Sequence, residues 1–484
     1  MRAGSSGSSS TQQTPPAGSG AQSAPQASAV AGRPDAEGAV ETAGGRSRSW
    51  RGLPLRATSL VVLSVCLLSI AVVTSAVRAN PGVWVIDETT YIDYLHKVHD
   101  GQLYMPLGDE FGQEAMRDIS CRGLVQPGGA VWDGRPACGL ERYEASTFLN
   151  GGISSGAIHP PTYFVLTDLG ARAVLLTGVT DDLITAGRLA GAGWMAAGLL
   201  ALLLLMRELR VPPAAQAIGV VVLAMSPSSV ETWQYLTPDA ANILVGSLVV
   251  LAAVRWSRGR CPTWALALAG FGAMAVKSPN LMVVCAAAMI VLLLPSRAVG
   301  WPRRVVGVLA VGGTAVATTA LLSVVGRLTA RPGGGRSPMD DIFGVSAFDP
   351  MWLVGNLGAF LGPLNRPTGV GFTVSVVVAL ALFGLLFAAA MSPATAAEDR
   401  DRVLLSRALV FVLLAGPAVV VLLVYVSSSN YVPVQSRYGY SLLPGVVATA
   451  AMTWRTWGVQ LAVGGAVAIY AVLGIATWSA PFPV

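Results

Sequence analysis

Charge is scarce in this sequence: Asp, Glu, Lys and Arg make up 12% of its 484 residues, about half the share found in soluble globular domains. That excludes an ordinary water-soluble enzyme. Lysine is nearly absent. Only Lys97 and Lys277 stand among the 32 cationic side chains, and the arginines fall in short clusters between apolar runs rather than in one patch. This speaks against a nucleic-acid partner and for positively charged cytoplasmic turns. Of the three histidines and five cysteines, no pair has CxxC or Cys/His metal spacing, and only Cys121 and Cys138 lie in a polar stretch. A single exterior disulfide between those two is the most the sequence supports. No internal repeat is evident, so a transporter built from inverted repeats has no positive support. What the sequence has in quantity is apolar: 53% hydrophobic residues and a mean hydropathy of +0.59, the composition of a polytopic membrane protein.

Residues 1–55 are rich in Ser, Gly, Ala and Pro and carry almost no large apolar side chains, which predicts a disordered cytoplasmic tail. A transmembrane domain is expected over 56–478 and a short exterior C-terminus over 479–484. The first apolar run, about Ala57 to Val77, follows Arg46, Arg48, Arg51 and Arg56. At roughly 20 residues it is too long for the core of a signal peptide and reads as an uncleaved span with its N-terminus inside. A first exterior loop covers 78–182. Its last part, Pro161 to Gly178, is apolar but carries Asp168 and Arg172 near its middle. Burying either at bilayer depth costs about 2.5 to 3.5 kcal/mol, so the segment is expected to lie on the outer leaflet as an interfacial helix. The next spans are then Leu183–Met206, Ala214–Ser229, Ala240–Trp256, Thr263–Val276, Pro279–Leu294, Val305–Gly326, Val370–Met391 and Ala408–Val426, with two more turning at Arg455. A second large exterior loop covers 327–368, and a charged cytoplasmic loop runs from Glu398 to Arg407. The sum is an all-α polytopic protein of about eleven helices, N-terminus in and C-terminus out.

Under this topology the unusual polar residues collect at exterior helix ends. Asp87-Glu88-Thr89-Thr90-Tyr91 follows the first span, and the adjacent carboxylates could supply a general base or a ligand pair for a divalent cation such as Mg or Mn; a helix start with Asp87 near the N-cap is the plainer account. His96 and His99, at i, i+3 spacing, suit metal or phosphate contact if they share a face, and otherwise a solvated surface. In His159-Pro160-Pro161-Thr162-Tyr163 the prolines preset a helix entry and fix His159 beside the membrane surface. Pro238-Asp239 opens a span, where Asp239 reads either as a cap or as a site carboxylate. Lys277 sits between two short apolar runs, where a cation needs a partner such as a lipid phosphate or must snorkel to the interface. Gln435-Ser436-Arg437-Tyr438, with Pro444 downstream, offers a guanidinium for two-pronged phosphate contact.

In this order the five patterns resemble the GT-C class of membrane glycosyltransferases, especially bacterial relatives of protein mannosyltransferase and aminoarabinose transferase. They also resemble an uncharacterised family of bacterial polytopic proteins with an Asp-Glu loop, a Pro-Pro-x-Tyr segment and a Gln-x-Arg-Tyr motif. The resemblance spans about residues 57–450 as scattered short motifs. It departs in an insertion around Cys121 to Cys138 and in having no soluble C-terminal domain after the last span. It implies a sugar donor linked to polyprenyl phosphate, an acceptor that the residues do not identify, Asp87 with Glu88 second as the base, and Lys277, Arg437 and His159 around the donor phosphate. Asp239, Tyr91, Tyr163, Tyr438, His96 and His99 would support them. The implied setting is the outer face of a bacterial cytoplasmic membrane, in cell-envelope glycan or glycoprotein synthesis; arginine over lysine and abundant alanine suit an actinobacterial envelope. A transporter or flippase of a lipid-linked or small polar substrate is the alternative, disfavoured because its charges would lie nearer mid-membrane.

Overall fold

The computed structural model describes residues 55–84, 87–125, 136–294, 299–331, 344–361, 370–393 and 397–478. The expected tail up to residue 54, the C-terminus 479–484 and the 332–343 and 362–369 parts of the second exterior loop lie outside the described residues. Among the described residues the regular structure is helical apart from two-residue strands β1 (Val83–Trp84) and β2 (Leu124–Val125), which pair in parallel, and two isolated β-bridges, Glu110 with Ile153 and Gly344 with Asn430. Among the described residues five helical stretches are long and apolar enough to cross a membrane: Thr58–Ala79, Leu183–Glu208, Pro238–Ser257, Trp301–Thr329 and Asp399–Val426. Shorter apolar helices at Pro213–Ala224, Thr263–Val276, Ser278–Leu293, Val376–Met391 and Trp457–Val472 fall on other expected spans.

Helix α1 (Leu55–Ala79) leads through β1 into a folded first loop made of α2 (Glu88–His99), α3 (Gln113–Arg122) and α4 (Thr162–Leu176). Here Tyr94 stacks on Phe164 with ring centroids 4.1 Å apart, and Cys121 and Cys138 form the expected disulfide. α4 is the segment expected to be interfacial. Its Asp168 is buried and takes hydrogen bonds from Arg172 Nε at 2.7 Å and pairs with His99 Nδ1 at 2.7 Å, so loop residues satisfy the charge that argued against a span.

The chain then runs through α5 (Leu183–Leu189), α6 (Gly191–Glu208), α7 (Pro213–Ala224) and α8 (Pro227–Gln234). α5 is capped by Asp182, whose side chain accepts from the Thr185 N–H at 2.6 Å. The expected span Ala214–Ser229 is broken between α7 and α8, because Pro227 has no N–H to continue the first helix and opens a second at its first turn. After a tight turn at Pro238–Ala241 come α9 (Asn242–Ser257), α10 (Thr263–Val276), α11 (Leu281–Leu293), α12 (Trp301–Val308) and α13 (Thr314–Thr329), the last two joined by a π turn at Leu309–Gly313. The remaining helices are α14 (Met351–Gly355), α15 (Val370–Met391), α16 (Ala397–Ser428), α17 (Leu443–Ala451) and α18 (Trp457–Trp478). α16 absorbs the whole of the expected loop Glu398–Arg407. Asp401 pairs with Arg258 at 2.9 Å and so gives the charged first turns of the helix a partly buried anchor.

α9 is the central element: α6, α10, α11 and α17 all pack against it. Close approach depends on glycine at two places. A Cβ on Gly246 would stand 1.9 Å from the Ser441 carbonyl oxygen, and one on Gly191 would stand 2.0 Å from that of Trp233. The first allows the 3₁₀ turns Ser436–Leu442 to lie on α9, and the second lets α8 lie on the start of α6. Gly246→Ala is therefore expected to lower stability by about 1 to 3 kcal/mol through overpacking. Gly193→Ala, where a Cβ meets nothing within 4 Å, serves as the control, and thermal melting in detergent compares them. Equal melting temperatures would show that α9 and the 436–442 turns can separate freely.

Candidate active site

The turns that α9 gathers bring five of the expected residues, Asp87, Glu88, Tyr91, Asp239 and Arg437, around one cavity, with Gln435 also on its wall. Asp87 occupies the position before α2, and its carbonyl takes the Thr90 and Tyr91 N–H groups at 3.1 and 3.3 Å. Its side chain makes no capping hydrogen bond. The carboxylate instead forms a close ion pair with Arg437 Nη2. Arg437 Nη1 lies 4.0 Å from Asp239 Oδ2. Asp239 in turn accepts from Lys277 Nζ at 2.7 Å and from Asn242 Nδ2 at 2.9 Å. The result is a row of alternating charge, Asp87, Arg437, Asp239, Lys277, with the Tyr438 ring 5.8 Å from the guanidinium and 5.9 Å from the ammonium.

Burial makes this row consequential. Asp239 is 1% exposed and Lys277 2%, so Lys277 does not snorkel; its partner within the fold is the Asp239 carboxylate. Lys277 reaches it because the chain is extended between α10 and the turn Ser278–Asn280. Burial alone would lower the pKa of Arg437, but the Asp87 and Asp239 carboxylates outweigh it and hold the guanidinium charged well above its ordinary range. His159 follows the turn Ser155–Ile158, and its Nε2 stands 3.3 Å from the Tyr91 hydroxyl. Burial first, then the Lys277 and Arg437 charges, push its pKa down from 6.5 to about 3, while Asp239 opposes them. It is a neutral imidazole near pH 7.

Other expected residues are committed to different partners, Glu88 although it lines the same cavity. Glu88 is 1% exposed and its oxygens are fully engaged: Arg188 Nε and Nη2 grip them at 2.8 and 2.7 Å, while the Leu236 and Trp84 N–H groups donate at 2.9 and 2.8 Å. That leaves it no lone pair for a proton from a substrate. His96 and His99 do not share a face: His96 Nε2 pairs with Asp118 at 3.0 Å on α3, and His99 with Asp168 on α4. Both fasten α2 to its neighbours and neither reaches the cavity. Tyr163 is a positioning group, accepting from the Thr237 N–H at 3.1 Å two residues before Asp239. Among the described residues no three His, Cys, Asp or Glu gather to hold a metal ion. Asp87 and Asp239, already neutralised by two cations, do not fit a divalent ion.

Sequence reasoning missed Arg188. Its Nη1 and Nη2 also donate to the carbonyls of Asn80 and Gly82 at 2.9 and 2.7 Å, and Tyr235 lies 5.0 Å from its guanidinium carbon. The signal was present: an arginine six residues into an apolar run must find a partner.

Neither a known protein family nor a curated protein matches the sequence. Among solved structures the chain is similar to the arabinofuranosyltransferase AftD from mycobacteria. Two of its structures show 14% and 16% identity and TM-scores of 0.47 and 0.44 over 88% of this chain. It is also similar to the oligosaccharyltransferase of Archaeoglobus fulgidus, at 13% identity and a TM-score of 0.40 over 87% of this chain. The match covers 28% or 26% of AftD and 55% of the archaeal protein. The structural neighbours are thus membrane glycosyltransferases, the class that the motifs resemble.

Two expectations follow from the site. Glu88→Gln leaves the Arg188 charge buried without its partner and should lower stability by about 3 to 5 kcal/mol, against a small change for the half-buried Asp87→Asn. Denaturation of the purified variants in detergent tests this, and the reverse order would exchange the roles given to the two carboxylates. The depressed pKa of His159 means that the unfolded chain takes up a proton between pH 6.5 and about 3 that the folded chain refuses. Its contribution is fully retained above pH 6.5 and is lost as pH falls toward 3. The melting temperature of His159→Gln should therefore fall less on acidification from pH 6.5 to 4.5 than that of the wild type; parallel curves would refute a neutral buried imidazole.

Proposed function

We propose that the chain is an integral membrane glycosyltransferase that moves a sugar from a polyprenyl-phosphate donor to an acceptor hydroxyl. The reaction would take place on the outer face of a bacterial cytoplasmic membrane, in cell-envelope glycan or glycoprotein synthesis. The observation that carries this reading is the row Asp87, Arg437, Asp239, Lys277, assembled from four separate parts of the chain, with Asp87, Arg437 and Asp239 on the walls of one cavity and Lys277 bonded to Asp239. Two cations are available to a phosphate and one carboxylate, Asp87, is partly exposed to the cavity. With Glu88 committed to Arg188, the base is Asp87 alone. Asp239 holds Lys277 and, with it, the electrostatics of the phosphate pocket. Tyr91, Tyr235 and Tyr440 complete the walls.

Chemically, the acceptor oxygen attacks the anomeric carbon as Asp87 takes its proton. The bond from that carbon to the phosphate oxygen breaks with its electron pair on the phosphate, where Arg437 and Lys277 stabilise the growing charge. A single displacement with one base inverts the anomeric centre. The neutral His159 contributes a hydrogen bond through Tyr91 rather than a charge.

Transfer of radiolabelled sugar from a panel of polyprenyl-phosphate sugars tests the proposal in membranes carrying each variant. Asp87→Asn should lower transfer by about 10²- to 10⁴-fold while donor still binds, and Lys277→Ala, checked for folding by its melting temperature, should weaken donor binding. If neither variant changes transfer, or lipid crosses the bilayer without transfer, the assignment gives way to the transporter reading.

A further inference from the structure

Arg437 has few ways to hold an oxyanion. A guanidinium grips one with two parallel N–H groups either end-on, through Nη1 and Nη2, or side-on, through Nε and Nη2. Both edges use Nη2, the nitrogen that Asp87 occupies. Nε is buried and has no hydrogen-bond partner among the described residues, and Nη1 is 4.0 Å from Asp239, too far for a hydrogen bond. The side-on edge is therefore half made: a desolvated donor at Nε lies beside an Nη2 committed to a carboxylate. A buried donor without an acceptor costs free energy that an incoming oxyanion would recover.

Asp87 has the complementary difficulty. Its carboxylate is held against Arg437 Nη2, the position that the phosphate needs, rather than against an acceptor hydroxyl. The two roles, Arg437 on the phosphate and Asp87 on the acceptor proton, exclude one another in the resting arrangement.

We propose that the Asp87–Arg437 ion pair is a latch: the donor phosphate displaces Asp87 from Arg437 Nη2, takes the Nε–Nη2 edge with two oxygens, and so releases Asp87 to act as the base. The base exists only once the donor is seated. This rests on the reading of a polyprenyl-phosphate donor. It adds no co-reactant, since the proton that Asp87 then accepts comes from the acceptor hydroxyl and the electron pair of the broken anomeric bond stays on the phosphate.

Affinity for polyprenyl phosphate, which has the phosphate but no transferable sugar, tests the latch. It is measured on the full chain in lipid nanodiscs for the wild type, Asp87→Asn, Arg437→Gln and the double variant, with uncharged polyprenol as reference. Removing the competitor for Nη2 should tighten binding about tenfold when Arg437 is present and leave it about unchanged in the Arg437→Gln background, the coupling expected of a contacting pair. Equal tightening in both backgrounds would reveal plain repulsion between Asp87 and phosphate. No tightening would mean that Arg437 holds both partners together. Either result overturns the latch and leaves the donor reading standing, whereas a wild type that binds polyprenyl phosphate no better than polyprenol overturns both. Asp87→Ser replaces Asp87→Asn in the cycle if the asparagine variant does not fold.

Discussion

The bidentate pair between Arg188 and Glu88 decides where everything else in the site can be. Both groups are 1% exposed, and in so dry a place each charge survives only because the other is within hydrogen-bond distance and every remaining donor and acceptor is used. The pair ties together the end of α1 through the Asn80 and Gly82 carbonyls, β1 through the Trp84 N–H, and the 235–239 turn through the Leu236 N–H. Asp87 is the residue before Glu88, and Asp239 follows Leu236 by three. Two carboxylates far apart in the chain are thus delivered to one guanidinium by a neighbouring ion pair that takes no part in the chemistry.

The second constraint is neutrality. Asp87, Arg437, Asp239 and Lys277 alternate in sign, so that the buried members each touch an opposite charge. Asp239 also lies where the N-terminal end of α9 favours an anion, and at the other end of α9 Arg255 and Arg258 stand where its carbonyls favour cations. There they meet Glu208, which also pairs with Arg260, and Arg258 reaches Asp401. One helix therefore separates two ionic clusters, and the apolar body between them, held close by Gly246, keeps the clusters apart.

What could be read from the sequence follows from the range of the forces involved. Apolar runs and prolines act locally, so Thr263–Val276 was legible to the residue, and the disulfide followed from the polarity around two cysteines. The break at Pro227 was equally local but was outweighed by the hydropathy on either side. Ionic partnerships act across the fold and were less legible. Asp87 and Glu88 look interchangeable on paper, but successive residues at a helix start point about 100° apart, and one meets Arg437 while the other meets Arg188. His96 and His99, three residues apart, are drawn to acids on different helices. Arg188 was concealed by the run of aliphatic residues that follows it, although that run is the reason its charge had to be matched.

Neutrality also bears on the chemistry of transfer. A sugar linked through polyprenyl phosphate is a phosphodiester carrying one negative charge, and the leaving polyprenyl phosphate is a monoester carrying about two at neutral pH. A site fixed at zero net charge would meet that gain in a dry cavity with nothing to offset it. In the proposed transfer, a proton passing from the acceptor to Asp87 would remove one negative charge from the row and leave it at plus one as the phosphate gains its second charge. Net charge in the cavity is then the same before and after the displacement. The added charge appears next to Arg437 and Lys277, whose partners have become one carboxylate instead of two. On the proposed reading, a row of paired charges, which at rest has little net pull on an anion, would thus become cationic at the moment and place where the leaving group needs it.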